Sequence, residues 1–172
     1  MTKPPMTANE IRVGVVVERR KAQSPWIDYT WRAIAALPGE PSAAPWTVMR
    51  SEGDVSVFYA GSAPVELHPS ATANYRDNLT SSSPGLWVVL RPQEGDPPFR
   101  LFKVTADPAE GEAYTEAGND LVDQVEMPPA IRAHIEAFVA EHHIERPFFK
   151  RKRQPADPES HARRPSKREG DA

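Results

Sequence analysis

The sequence predicts an α+β domain: a strongly bent antiparallel sheet or small β-barrel of about six strands, followed by a C-terminal amphipathic helix and flanked by disordered tails. Three observations lead there. Apolar and polar residues alternate in several short runs, the period-2 signature of half-buried strands. The 19 prolines in 172 residues are about twice average usage, and they fall near both ends and between the apolar runs. One segment alone carries a helical stripe, with Ile131, Ile135, Phe138 and Val139 at i, i+4, i+7 and i+8.

Taken in order, residues 1–10 are polar and proline-containing, with no apolar surface to offset chain entropy, and are expected to be disordered. "IRVGVVVERR" from Ile11 sets Val13, Val15 and Val17 on one face and Arg12, Gly14 and Glu18 on the other. "IDYTWRAIAAL" continues the habit, with Tyr29, Trp31, Ala33, Ala35 and Leu37 together until Pro38-Gly39 stops it. "WTVMRSEGDVSVFY" reads as two strands joined at Ser51–Asp54, where Gly53 can take positive φ, with Val55, Val57 and Tyr59 sharing a face. "SATANYRDNLTSSS" lacks alternation and fits a short helix from Ser70. "LWVVLRPQ" and "FRLFKVTAD" pair around the turn-rich "EGDPP". The acidic run from Pro108 to Glu126 reads as irregular. Pro128 and Pro129 then suit the opening turn of the final helix, whose stripe must cover an open end or face of the sheet. Residues 147–172 are almost wholly polar with scattered prolines, a flexible basic tail. A single domain over 11–146 remains.

The formal net charge of −3 conceals an asymmetry. From Arg146 onward nine Lys and Arg face four Asp and Glu, leaving twelve against twenty upstream. An acidic body repels phosphate, so nucleic-acid binding is disfavoured and would rest on the tail. With no cysteine, disulfide scaffolds, thiolate nucleophiles and cysteine-held metal clusters are excluded. No stretch approaches the ~20 apolar residues of a membrane span, and the N-terminus has no signal-peptide core. A cytoplasmic location without membrane insertion is expected, and the sequon "NLT" at Asn78 is read as accidental.

The densest chemistry lies in "HHIERPFFKRKR", from His142 to Arg153. His142 and His143 end the helical stripe, where imidazoles can pack and use the exposed carbonyls, and no further ligand at a fitting spacing argues for metal. Phe148 and Phe149 are poorly suited to lie free in water. They either fold back on the domain or anchor a partner, with Lys150, Arg151, Lys152 and Arg153 as the electrostatic complement. In "SPWIDYTW", Tyr29 and Trp31 fit the buried strand face, whereas Trp26 follows Pro25 in a turn and is the better contact candidate. The candidate partner-binding residues are therefore Trp26 and Phe148 to Arg153, with no metal or cofactor expected. Neither a nucleophile elbow nor a phosphate-cradling glycine loop is present.

"RVGVVVERRKAQSPWIDYTWR" and "MPPAIRAHIEAFVAEHHIERPFFKRKR" together resemble an uncharacterised proteobacterial family catalogued only as a domain of unknown function. Its members are often labelled as related to molybdopterin-guanine dinucleotide biosynthesis protein A, and their genes tend to lie beside formate dehydrogenase and its accessory factors. Nucleotidyltransferases that bear that name open with "LAGGxSxRMGxDK", which "RVGVVVERRKAQSPW" does not match. The resemblance thus implies a gene neighbourhood and carries no catalytic residues. The expected function is a non-catalytic accessory protein for maturation or assembly of a molybdenum-dependent formate dehydrogenase. The alternatives are an enzyme of molybdenum cofactor nucleotide chemistry, using the basic run and a carboxylate of the Glu110–Glu126 stretch, or a tail-mediated nucleic-acid binder.

Overall fold

The computed structural model describes residues 9–143. Within them, strands β1 (Glu10–Lys21), β2 (Tyr29–Pro38), β3 (Thr47–Glu52) and β4 (Val55–Glu66) form an antiparallel sheet in the order β2-β1-β4-β3. A 3-10 turn (Pro69–Ala71) leads into helix α1 (Thr72–Thr80). Strands β5 (Gly85–Pro92), β6 (Phe99–Thr105) and β7 (Leu121–Glu126) form a second antiparallel sheet in the order β6-β5-β7. Helix α2 (Pro108–Glu116) connects β6 to β7, and α3 (Pro129–His142) follows. The sheets meet where β4 lies along β6 and β2 along β7. No strand ladder joins them among the described residues, so the expected bent sheet is two sheets and the small barrel is not closed.

The core fills the space between the sheets. Val13, Val15 and Val17 of β1 are wholly buried, as their alternation implies, and meet Leu86, Val88 and Leu90 of β5 in one cluster. Ile131, Ile135 and Phe138 carry the α3 stripe into the same cluster, and the Phe138 ring meets Tyr75 of α1 edge-on. Each such side chain contributes about 1.5–3 kcal/mol by leaving water.

Two bulges set which residues face inward. Val16 pairs with Ala35 and Val17 with Ala33, so Ile34 is extra in β2; likewise Ala60 is extra in β4, between Tyr59 and Gly61. Gly61, at φ +120°, supplies the backbone that this bulge needs. The single face expected from Tyr29 to Leu37 therefore breaks. Tyr29, Trp31 and Ala33 face inward, then Ala36, while Leu37 pairs with Gly14 on the outer face. A Cβ on Gly14 would lie 3.0 Å from the Tyr59 ring and 3.3 Å from Pro41, so the glycine lets the segment after β2 close over that face.

The acidic run expected to be irregular holds α2 and β7. Asp107 caps α2 by accepting from the Ala109 N–H at 2.9 Å, Pro108 occupies the first turn, and Glu110 pairs with Lys103 at 2.6 Å. Glycine at position 111 lets α2 lie flat on Trp87, whose ring a Cβ would overlap. β7 forms because β5 offers it a complete edge, from Gly85–Glu126 to Leu90–Leu121. Ordered chain also begins earlier than expected, since Glu10 is already in β1; residues 1–8 and the tail 147–172 lie outside the described residues.

Asn78 fastens α1 to the start of β5 and the end of β6. Its amide donates to the carbonyls of Gly85 (2.8 Å) and Ala106 (3.0 Å) and accepts from the Gly85 N–H (3.1 Å) in a buried position. Asn78→Ala would leave three buried backbone groups without these partners. We expect it to lower unfolding free energy by about 3 kcal/mol in urea titration. A loss below about 1 kcal/mol would mean that these groups find other partners.

Candidate binding surface

Past Val17 and Ala33 the inward face of the larger sheet changes from aliphatic to aromatic and basic. Arg19 pairs across with Trp31 and Ser56, Lys21 with Tyr29, and Val17 with Phe58, so all these side chains share that face. The hairpin tips are tied by the Lys21 N–H donating to the Asp54 carbonyl at 2.9 Å. Trp31 stacks on Phe58 with ring centres 5.9 Å apart and meets Trp46 and Phe99 edge-on at 6.0 Å each. Trp46 reaches the cluster with φ +67°, a left-handed backbone costing a bulky residue about 1–2 kcal/mol. Its ring contacts with Trp31 and Phe58, and its N–H bond to the Tyr59 carbonyl, hold it there.

Arg19 sits among the rings. Its guanidinium carbon lies 4.4 Å from the centre of Tyr29, 5.2 Å from Phe58 and 5.7 Å from Trp31, and it donates to the Ser56 hydroxyl at 3.4 Å. Ser56 in turn is 3.2 Å from Ser51 Oγ. Among the described residues no carboxylate pairs with Arg19. Glu18, its neighbour, points to the opposite face and meets Arg20 (3.4 Å) and Arg32 (3.6 Å) there.

The exposed large apolar side chains of the described residues are Trp26, 90% exposed, and Ile27 in the turn between β1 and β2, Tyr29 at the start of β2, and Val48 and Met49 on β3, where Val48 pairs with Phe58. Trp26 is thus as open as its turn position predicts. Tyr29 and Trp31, read from sequence as core, are instead an exposed ring and a half-buried one. The cause is register: only the pairing with β1 shows that they lie beyond the covered part of the sheet. Phe148, Phe149, Lys150, Arg151, Lys152 and Arg153 lie outside the described residues.

Other candidate groups have structural partners. The Asp120 carboxylate receives a forked pair from Arg91 at 3.0 and 2.9 Å, which holds its pKa below the usual range, and Arg91 also lies 3.4 Å over the Phe102 ring. His142 stacks on Phe138 at 4.4 Å, and His143 reaches Thr72 Oγ1 at 3.1 Å and Arg76 at 3.4 Å, so both imidazoles fasten the end of α3. No group of three or more His, Asp or Glu suited to a metal ion occurs among the described residues. No helix of the described residues is long and apolar enough to cross a membrane.

These features define a small α+β domain with an aromatic, arginine-bearing surface at one end of its larger sheet. The chain belongs to the family described as Protein of unknown function (DUF3305), whose model matches residues 12–153. That span holds the whole surface and runs through the basic cluster to its last residue. No curated protein and no solved structure gave a significant match.

Asp123 of β7 borders this end, in an open cleft of about 420 Å³ shared with Glu18, Arg20, Thr30, Trp31 and Arg32. Its carboxylate accepts from the Ala33 N–H at 3.0 Å, beside the Ile34 bulge, and so pins β2 to β7. Burial pushes its pKa up, against the opposing pull of the Ala33 N–H and Arg32. The native state therefore holds this proton more tightly than the unfolded chain does. Its stability contribution is greatest with Asp123 protonated and falls as pH rises through the raised pKa. Asp123→Asn keeps an acceptor for Ala33 and removes the charge. We expect its unfolding free energy to lose this slope above the ordinary carboxylate range, with neutral-pH stability at or above wild type. A loss of about 2 kcal/mol at neutral pH would show that the fold needs the ionised form.

Proposed function

We propose that the protein is a non-catalytic accessory protein that binds a protein partner during maturation or assembly of a molybdenum-dependent formate dehydrogenase. The observation that carries the binding role is the aromatic face around Arg19, on which the Tyr29 ring is exposed, together with the exposed Trp26 and Ile27 of the adjoining β1–β2 turn and Val48 and Met49 of edge strand β3. Exposed aromatics next to an arginine are the composition of partner anchors. The formate dehydrogenase system is the partner implied by the family resemblance in "RVGVVVERRKAQSPWIDYTWR" and the C-terminal segment. The family match extends to residue 153, which supports including Phe148 to Arg153 in the working surface rather than treating them as a solubilising tail.

The enzymatic alternative requires carboxylates from the Glu110–Glu126 stretch. Glu110, Asp120 and Asp123 are instead engaged by Lys103, Arg91 and the Ala33 N–H. A docking module uses the exposed rings directly and leaves these structural pairs intact.

Affinity capture from native-cell extract at moderate salt tests the reading. The full chain should retain formate dehydrogenase subunits or their maturation factors, and Trp26→Ala should reduce recovery about tenfold at unchanged melting temperature, the scale of one anchor residue. A chain ending at Glu145 that captures as well as the full chain would confine the contact to the sheet. Failure of the full chain to retain any component of that system would remove the proposed partner.

A further inference from the structure

We infer that the Arg19 box is a carboxylate-binding site, and that its occupant is an acidic segment of the protein partner with apolar residues beside the acid. The inference rests on the protein-binding reading above and specifies the chemistry of the partner. An arginine carries five N–H donors, and its charge pairs best with a carboxylate in a two-pronged fork. Arg19 has ring faces of Tyr29, Trp31 and Phe58 around it but only one long hydrogen bond, to Ser56, and no carboxylate among the described residues. The rings confine the guanidinium before a ligand arrives, so less side-chain freedom is lost on pairing.

Strand register turns the acids of the flanking strand positions away from Arg19. Arg19 and Lys21 point inward at this end, while Glu18 and Glu52, paired with Arg32 and Val55, fall on the opposite face. The box is thus locally cationic on a body that is acidic overall. Two cations and a ring of apolar side chains fit a carboxylate flanked by leucine-like or aromatic residues. They do not fit the phosphate track of a nucleic acid, which needs a line of basic residues. The Ser51 and Ser56 hydroxyls offer a further donor to an oxygen bound at Arg19, and Tyr29 and Val48 supply apolar contact on either side.

Three probes test this on the full chain by fluorescence anisotropy: a labelled peptide alternating glutamate and leucine, its glutamine–leucine counterpart, and single-stranded oligothymidine. We expect the acidic peptide to bind at least about tenfold more tightly than the glutamine peptide. Arg19→Lys, which keeps the charge but loses the fork and the stacking, should weaken it by a similar factor while the melting temperature holds. Ser56→Ala should weaken it less. Equal affinity for the two peptides, no binding of either, tighter binding of oligothymidine, or an unaffected Arg19→Lys would each overturn the inference. If Arg19→Lys still captures formate dehydrogenase components while Trp26→Ala does not, the docking role stands and the carboxylate site falls.

Discussion

β1 is hydrogen-bonded on both sides along nearly its whole length, and both neighbours carry one residue too many where they pass Val15 to Val17. Paired bulges at the same level of a central strand make the sheet bend there. Everything else follows from that bend. Up to it, the inward face is aliphatic and is closed by β5, α1 and α3; after it, the same face turns to Arg19, Trp31 and Phe58 and is only half covered. The Asp123 bond to the Ala33 N–H lies beside the β2 bulge, so the distortion that opens the surface also anchors the second sheet.

What the sequence disclosed depended on whether the signal was local. Six strands follow from period-2 alternation, which a strand carries in its own residues, and α3 follows from its stripe. The bulge at Ile34 has no such signature, so Tyr29 and Trp31 read as core although their partners put them at an open end. β7 is a strand because β5 supplies its edge, a non-local cause, and its acids masked Leu121 and Val125. α2 is different: Asp107, Pro108 and Glu110 are a legible start signal, hidden only by the acidity of the stretch around them. Of the candidate site, the exposure of Trp26 was legible from its proline turn, while the contacts of Arg19 required cross-strand register.

Charges in this domain fall into two groups. Arg91–Asp120, Lys103–Glu110, Arg12–Glu40 and Arg132–Glu136 are pairs of neighbouring elements or turns, each near the surface, where solvent screens the attraction. They mainly set geometry. Among the described residues Arg19 belongs to neither a pair nor a network of acids, and its ring neighbours Trp31 and Phe58 are in turn braced by Trp46, whose backbone is left-handed.

The buried bracket at Asn78 has a consequence for how the protein can be made. Asn78, Leu79 and Thr80 form an acceptor sequence for N-linked sugar, and that transfer acts on a chain still emerging into a secretory compartment, before α1 has docked. A glycan on this amide would occupy the nitrogen that bonds Gly85 and Ala106 and would attach a bulky hydrophilic group to a buried side chain. Secretion from a eukaryotic host would therefore divert modified chains from the native fold, whereas hosts that leave the amide bare face no such branch point.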